Sequence, residues 1–191
     1  MREGLTAARA DLPDRRGRDY AGVMSELLTS RLRLRRARAD DLRALHEVFS
    51  QPRAMRYWST PPHLDLEQTR AWLEGMIQAP PESSDDYVIE HDGRVIGKAG
   101  CWRVPEIGYI LHPDAWGQGL AREALTAVVA HVFAGFAIEA ITADVDPRNV
   151  ASLRLLDRLG FVETHRAART WRVGDEWCDS VYLALSRPAA D

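Results

Sequence analysis

The chain has 191 residues, of which 46% are hydrophobic and 28% charged, and its net charge is −3. These values are typical of a single globular domain that is long enough to bury a hydrophobic core. The near-neutral charge gives no electrostatic reason to expect nucleic acid binding, and the longest apolar run, 124–138, is too short to cross a bilayer. We therefore expect neither nucleic acid nor a membrane as a partner.

Cysteine and histidine usage argues against two further classes of protein. Cys101 and Cys178 are too few for a disulfide framework, so a reducing cytoplasm is the expected location. His63, His91 and His112 are scattered without the spacing of zinc ligands, and we expect no metal site.

The N-terminal segment differs in composition from the rest of the chain. Arginines and acidic residues mix irregularly over residues 1–28, without hydrophobic periodicity or the apolar core of a secretory signal. We expect a flexible N-terminal tail over 1–28 and one domain over 29–188. Met24 would also make a natural translation start, which leaves open whether residues 1–23 belong to the native protein.

The first half of the domain predicts one strand and two helices. Alternation over 29–37 places Leu32 and Leu34 on one face and arginines on the other, which indicates a half-exposed strand. A helix follows from Asp40, its cap, to about residue 50, and a second helix ends before Pro80.

The second half predicts strands that alternate with two helices. Asp92-Gly93 separates two apolar runs, and Asp-Gly favours a hairpin turn. The elements expected after this hairpin are a strand at 106–112, a helix at 118–134, a strand at 138–145, a helix at 149–159 ending at Gly160, and a last hairpin of 161–173 and 177–186. The predicted order is β, α, α, β, β, β, α, β, α, β, β, a mixed α/β domain.

A glycine loop joins the strand 106–112 to the helix 118–134. Gly117 and Gly119 let the backbone approach a ligand, and the helix behind them offers unpaired N–H groups at the positive end of its dipole. The Lys-Ser or Lys-Thr pair of a Walker-type loop is absent, as is the third glycine of the dinucleotide fingerprint. The loop therefore predicts an anion site of a shorter kind.

Two segments carry a resemblance to a known family. The loop Trp-Gly-Gln-Gly-Leu-Ala at 116–121 resembles the acetyl-CoA pyrophosphate loop of the GNAT N-acetyltransferases. The segment 146–161 is similar to the family's second signature, in which Asn149 starts a helix and Gly160-Phe161 follows it. Both segments look like the RimJ/RimL-like branch, which acetylates ribosomal-protein N-termini. The resemblance implies a GNAT fold, with a central, mostly antiparallel sheet splayed between its fourth and fifth strands and flanked by helices.

The resemblance also implies how acetyl-CoA, the acetyl donor, is held. The pantetheine arm would lie between the splayed strands and contact the backbone of Ile110, Leu111 and His112. Asn149 would hydrogen-bond the pantetheine or the phosphate side. The pyrophosphate would rest on Gly117, Gln118, Gly119, Leu120, Ala121 and Arg122. The candidates for the 3′-phosphate are Arg122, Arg148 and Arg154.

In the family, a neutral amine attacks the thioester while a base removes its proton and an acid protonates the leaving thiolate. Glu106 begins the fourth strand, where family members place a base, and burial there would raise its pKa. The tyrosine that usually serves as acid is absent, because its position is Leu156. Ser152 shares a helix face with Asn149 and Leu156, so the resemblance implies Ser152 as the acid. A solvated Glu106 and a Ser152 bonded to a backbone carbonyl are the alternatives.

The implied reaction is N-acetylation of a primary amine, either a protein N-terminus or a small molecule such as a polyamine or an amino acid. Acceptor choice would reside in loops 51–64 and 164–180, where Tyr57 and Trp58 form either a substrate wall or a lid over the core. A non-catalytic acyl-CoA sensor is the alternative, and the missing tyrosine supports it. Either a monomer or a homodimer fits the sequence, and Cys101 is expected to be a buried small hydrophobe.

Overall fold

The structure, a computed structural model, describes residues 26–189. The predicted tail lies outside the described residues except for its last positions, where Leu27 and Leu28 form a short strand, β1. This strand pairs antiparallel with the next one. The sheet therefore begins before residue 29, the predicted start of the domain.

Every predicted helix and strand is present in the described residues, together with β1 and a short helix, α2. The elements in chain order are β1 (Leu27–Leu28), β2 (Leu32–Arg35), α1 (Leu42–Phe49), α2 (Pro52–Met55), α3 (Leu66–Gln78), β3 (Asp85–His91), β4 (Arg94–Arg103), β5 (Glu106–Leu111), α4 (Leu120–Gly135), β6 (Ala140–Val145), α5 (Val150–Arg158), β7 (Val162–Val173) and β8 (Glu176–Ser186). Two 3₁₀ turns, Ala39–Asp41 and Pro113–Ala115, precede α1 and follow β5.

Local chemistry explains where several elements begin and end. Asp92 and Gly93 adopt φ angles of 49° and 75°, the left-handed turn that joins β3 to β4. Asp65 caps α3 by accepting a hydrogen bond from the Gln68 amide at 2.9 Å. Gly160, with φ of 89°, lies just beyond the end of α5, in the conformation that glycine adopts at helix ends.

The eight strands form one sheet in the order β1-β2-β3-β4-β5-β6-β8-β7. Neighbouring strands are antiparallel except β5 and β6, which run parallel and pair at a single register position, Glu106 with Thr142. The Thr142 amide donates to the Pro105 carbonyl at 3.0 Å. This confirms a mostly antiparallel sheet whose two central strands, the predicted fourth and fifth, part beyond their first pair.

A hydrophobic core lies on each face of the sheet. Ile107 and Leu111 point into the core beneath α4 and α5, whereas Ile110 points into the core formed with α1, α2 and α3. Because side chains alternate along a strand, Glu106 and Gly108 share the face of Ile110. The two faces of β5 therefore serve different helical layers.

Three expectations for the first half were wrong. Asp40, predicted as the cap of the first helix, lies instead within the 3₁₀ turn that precedes α1. Arg35, predicted to face solvent, is only 5% exposed, and its guanidinium donates to the carboxylates of Asp41 and Glu90. A buried arginine requires such paired charges. The predicted loop 51–64 contains α2, which begins at Pro52, since proline is tolerated in the first turn of a helix. Within residues 26–189, no helix is long and apolar enough to cross a membrane.

Candidate functional site

The divergence of β5 from β6 opens a gap in the middle of the sheet. A cavity of about 1400 Å³ passes through this gap. Its walls come from both faces, because residues of α2 and α3 line one end and residues of α4 and α5 line the other. Glu106, Tyr109, Ser152, Asn149 and the glycine loop all border this single space. The structure thus brings together most of the residues that the sequence singled out.

The backbone of β5 offers fewer groups to the gap than predicted. The His112 amide donates to the Ile96 carbonyl at 2.7 Å, and the His112 carbonyl accepts a hydrogen bond from the Ala115 amide at 2.9 Å, so both backbone groups already have a partner. Ile110 lies two residues before His112 and pairs with Lys98 in the register. Its backbone groups therefore also face β4. The His112 amide and the backbone groups of Ile110 thus face β4, and the contacts of these two residues with a pantetheine arm stay a prediction.

The alternate residues of β5 face the gap. The Leu111 carbonyl points there and accepts a hydrogen bond from the Trp116 indole N–H at 2.9 Å. Tyr109, which lies opposite Ala99 in the register, presents its backbone to the same side. Leu111 and Tyr109 are thus the β5 residues whose backbone faces the gap.

The glycine loop ends in an uncapped helix. Gly117 and Gly119 have φ angles of 73° and 78°, a left-handed conformation that favours glycine. Gly119 is the N-cap of α4 and, lacking a side chain, leaves the first-turn amides of α4 without a side-chain acceptor. A Cβ at Gly117 would meet nothing within 4 Å, so the loop surface stands open for the approach of an anion.

A network of ionic hydrogen bonds braces this loop from behind. Glu123 in α4 accepts hydrogen bonds from the side chains of Thr29, Ser30 and Arg31. Arg31 also donates to the Gln118 carbonyl at 2.9 Å. Desolvation opposes ionisation of Glu123, but these hydrogen bonds prevail and lower its pKa to about 2.

Asn149 has a structural role at the other wall of the gap. Its side-chain oxygen accepts the Ser152 amide at 3.2 Å and so caps α5. The cap fixes the first turn of the helix against the cavity. Asn149 therefore determines where α5 begins, and with it the position of Ser152 in the first turn of that helix.

Ser152 has a partner that sequence analysis missed. The hydroxyl groups of Tyr109 and Ser152 form a short hydrogen bond that joins β5 to α5 at the edge of the cavity. Desolvation raises the pKa of Tyr109 to about 12, although its hydrogen bond with Ser152 acts in the opposite direction. The Leu156 side chain is fully buried and offers no polar group. The Tyr109 hydroxyl thus lies one helical turn from the position where the family usually has its tyrosine.

Glu106 opens into the cavity on the opposite face of β5. Its side chain is exposed to the cavity, yet the surrounding walls desolvate it and raise its pKa, with a further increase from the nearby charge of Asp144. The Arg103 charge acts in the opposite direction. Asp144 accepts a hydrogen bond from the Trp171 indole at 2.7 Å.

Aromatic side chains line the Glu106 end of the cavity. We call the set formed by Tyr57, Trp58, Trp72 and Trp102 the aromatic wall. Trp58 packs against Phe49, with the ring centroids 6.2 Å apart, and Tyr57 lies 5.9 Å from the Arg148 guanidinium. Tyr57 and Trp58 therefore border the cavity, and Trp58 also packs against the core formed with α1, α2 and α3.

Of the three arginines considered for a 3′-phosphate, Arg122 lines the cavity. Arg148 is instead held by the carboxylates of Asp146 and Glu176, beside Tyr57. Arg154 is exposed on α5 and borders none of the cavity. Arg122 is the candidate that the geometry favours.

Two other polar groups bear on the chemistry. Cys101 is fully buried, as expected, and burial raises its pKa, so it is not a thiolate nucleophile. Among residues 26–189, no cluster of histidine, cysteine and acidic side chains is arranged to hold a metal ion.

Comparison with known proteins agrees with this geometry. Residues 31–162 match the family described as the acetyltransferase (GNAT) domain. An uncharacterized N-acetyltransferase, p20 of Bacillus licheniformis, is 29% identical over 147 residues, which cover 72% of this chain and 83% of p20.

Two solved structures share the fold. The acetyltransferase from Salmonella typhimurium that modifies the N-terminal serine of ribosomal protein L7/L12 is 20% identical, with a TM-score of 0.77 over 86% of this chain and 100% of that one. Spermidine N-acetyltransferase from Vibrio cholerae, in complex with CoA and spermine, is 21% identical, with a TM-score of 0.71 over 83% of this chain and 96% of that one. With the matched family, the splayed sheet and the glycine loop in agreement, the chain belongs to the GNAT family of N-acetyltransferases and is an acyl-CoA-dependent enzyme.

Proposed function

We propose that the protein transfers the acetyl group of acetyl-CoA to a primary amine by direct attack in a ternary complex. One observation carries this proposal. Glu106 and the Tyr109–Ser152 hydroxyl pair reach the same cavity from opposite faces of β5. A group that takes a proton and a group that donates a hydrogen bond are therefore available on the two sides of one reacting centre.

The donor site follows from the backbone of the gap. The uncapped amides of Leu120, Ala121 and Arg122, together with the Gly117–Gly119 loop, suit the pyrophosphate. The gap-facing backbone of Tyr109 and Leu111 suits the amides of the pantetheine arm. When bound, acetyl-CoA supplies an activated thioester carbonyl. Arg122, which lines the cavity, is proposed to bind the 3′-phosphate.

Glu106 is proposed as the base that accepts the proton of the attacking amine, directly or through a water molecule. Its raised pKa brings its proton affinity closer to that needed near neutral pH. Ser152 is proposed as the donor to the sulfur as it leaves. Its position at the capped start of α5, on the other side of the gap, supports this role.

The acceptor is proposed to be a primary amine that enters along the aromatic wall. Arg56, Lys98 and Arg103 line this end of the cavity as well, so the attraction for a protonated amine comes locally from the carboxylates of Glu106 and Asp144 rather than from a net negative charge. Two proteins of related structure act on such amines: one modifies a protein N-terminal serine, and the other is a spermidine N-acetyltransferase. A protein N-terminus and a small-molecule amine are both consistent with this wall. We place the reaction in the cytoplasm, since a reducing compartment suits the two free cysteines.

Calorimetry and a thiol-release assay test the proposal. Acetyl-CoA should bind, and CoA that lacks the 3′-phosphate should bind more weakly. Thiol release should then be followed over a panel that contains spermidine, free amino acids and peptides with a free N-terminal serine. Release above the no-amine rate identifies the acceptor class. Binding without release from any amine would support the acyl-CoA sensor, and no binding would contradict the proposed site.

A further inference from the structure

We propose that Tyr109 is a positioning residue that orients the Ser152 hydroxyl toward the departing sulfur, replacing from a strand the tyrosine that α5 lacks. This inference rests on the proposed function of Ser152. It goes further because neither the glycine loop nor the asparagine motif includes Tyr109.

Within residues 26–189, the Tyr109 hydroxyl has one hydrogen-bond partner, the Ser152 hydroxyl. The Tyr109 ring packs against the core beneath α4 and α5, and its hydroxyl meets the Ser152 hydroxyl at the cavity edge. A serine has one proton to donate. If the Tyr109 hydroxyl donates to the Ser152 oxygen, the Ser152 proton is directed away from Tyr109 and into the cavity.

The pKa of Tyr109 indicates whether its hydroxyl transfers a proton or only donates a hydrogen bond. With a pKa of about 12, the phenol stays protonated throughout the range in which a thiol of pKa about 8.5 ionises. Tyr109 therefore does not give its proton to the sulfur. Ser152, an aliphatic hydroxyl and so a still weaker acid, keeps its proton as well and stabilises the leaving sulfur by donating a hydrogen bond to it. In the transfer, the thioester C–S bond breaks, the sulfur takes the electron pair and leaves as a thiolate that solvent later protonates, while Glu106 accepts the amine proton.

The rest of the helix explains why the tyrosine can come from β5. Leu156, on the same face of α5 as Ser152, is fully buried within the core and leaves the cavity edge without a hydroxyl from that turn. Tyr109 projects from the adjacent strand onto the preceding turn of α5. The hydroxyl thus reaches the same region of the gap from the opposite wall.

A binding measurement tests the inference without turnover. The affinities of CoA and of desulfo-CoA, which lacks the sulfur, are compared by calorimetry from pH 7 to pH 10. In the wild type, the preference for CoA should grow as the thiol ionises, because Ser152 donates to the thiolate. In Tyr109→Phe, the increase in this preference between pH 7 and pH 10 should be at least about threefold smaller than in the wild type. Tyr182→Phe, a substitution outside the cavity, should behave as the wild type.

Kinetics provide the second readout. Tyr109→Phe should lower kcat about tenfold with an unchanged KM for acetyl-CoA, since one neutral hydrogen bond is lost while the ring is kept. The double variant Tyr109→Phe/Ser152→Ala should be no slower than Ser152→Ala alone, because the two hydroxyls act as one unit. An unchanged sulfur preference in Tyr109→Phe, or losses that multiply in the double variant, would overturn the inference. If Ser152→Ala keeps full turnover, the proposed function of Ser152 fails as well, so the two failures are distinguishable.

Discussion

The carboxylates of Glu106 on β5 and Asp144 on β6 face the same side of the sheet. Glu106 pairs with Thr142 at the one register position that joins these strands, and Asp144 lies two residues beyond Thr142. Walls of the cavity desolvate Glu106, and the Asp144 charge adds to this effect, so both raise the pKa of Glu106. Two neighbouring acidic groups thus differ in role: Asp144 is held by the Trp171 indole, whereas Glu106 remains free to face the acceptor.

Replacing Asp144 with asparagine should lower the pKa of Glu106, because a nearby negative charge no longer opposes its ionisation. The acidic limb of kcat/KM should therefore move to lower pH, by about half a unit to one unit. A pH profile of the variant measures this shift. Asp157→Asn, an exposed substitution on α5 outside the cavity, should leave the limb in place. A limb that stays fixed in Asp144→Asn would show that Glu106 does not control it.

Substituting Gly117 with alanine should weaken acetyl-CoA binding about tenfold or more, because the loop must both keep a left-handed backbone and let phosphate approach. Gly174→Ala is a matched control. Gly174 also has a positive φ, of 59°, with nothing within 4 Å of its added Cβ, but it lies in the β7–β8 turn. Both variants should lose about 1 kcal/mol of stability, yet only Gly117→Ala should lose affinity in calorimetry. Equal affinities of the two variants for acetyl-CoA would show that the Gly117 loop does not bind the ligand.

Replacing Glu123 with glutamine should destabilise the fold by about 1–2 kcal/mol at pH 7, after allowance for solvent screening. The pKa of Glu123 in the folded protein, about 2, lies below its ordinary value of 4.5. Its carboxylate therefore contributes stability above about pH 4.5, and this contribution is lost as pH falls toward 2.

Urea unfolding of wild type and Glu123→Gln at pH 7 and pH 3 tests this dependence, with the difference between them shrinking at pH 3. Glu67→Gln removes an exposed pair with Arg70 and should change nothing measurable. A difference that is constant with pH would contradict the assignment of the shift to Glu123.

Replacing Lys98 with methionine should destabilise the protein by about 3–5 kcal/mol, because Asp86 would keep a buried charge without its partner. The two side chains are 3% and 1% exposed and lie 2.7 Å apart, and the other Asp86 oxygen has no hydrogen-bond partner in the described structure.

Denaturant unfolding measures this loss. The double variant Lys98→Met/Asp86→Leu should be more stable than Lys98→Met alone, since no charge remains buried. Arg166→Met, which breaks an exposed pair with Glu163, should leave the midpoint unchanged. A double variant less stable than the single one would mean that the pair stabilises the fold beyond charge compensation.

The sequence was sufficient to predict the element order and the location of the site, because local signals determine both. Asp92-Gly93 and Asn149 act within a turn or a helix start, and the structure has the predicted hairpin turn at Asp92-Gly93 and the predicted helix start at Asn149. Gly117 and Gly119 likewise adopt the backbone that only glycine adopts readily.

What the sequence did not predict depends on contacts between distant segments. Arg35 is buried because Asp41 and Glu90 meet it there, and strand alternation alone does not reveal such partners. Tyr109 lies within the strand predicted at 106–112 and was given no role, because its hydroxyl finds the Ser152 hydroxyl only when α5 folds against β5. Three consecutive residues were predicted to contact the pantetheine arm, whereas alternation of backbone direction along the strand places Leu111 on one side and Ile110 and His112 on the other.

The most direct test of the account compares thiol release and acetyl-CoA binding in Glu106→Gln and Ser152→Ala. We predict that both variants bind acetyl-CoA with wild-type affinity in calorimetry and release thiol about 100-fold more slowly with the best amine of the panel. Such a result would mean that groups on opposite faces of β5 act on one reaction in the gap. Wild-type release from either variant would remove that residue from the reaction and contradict the account.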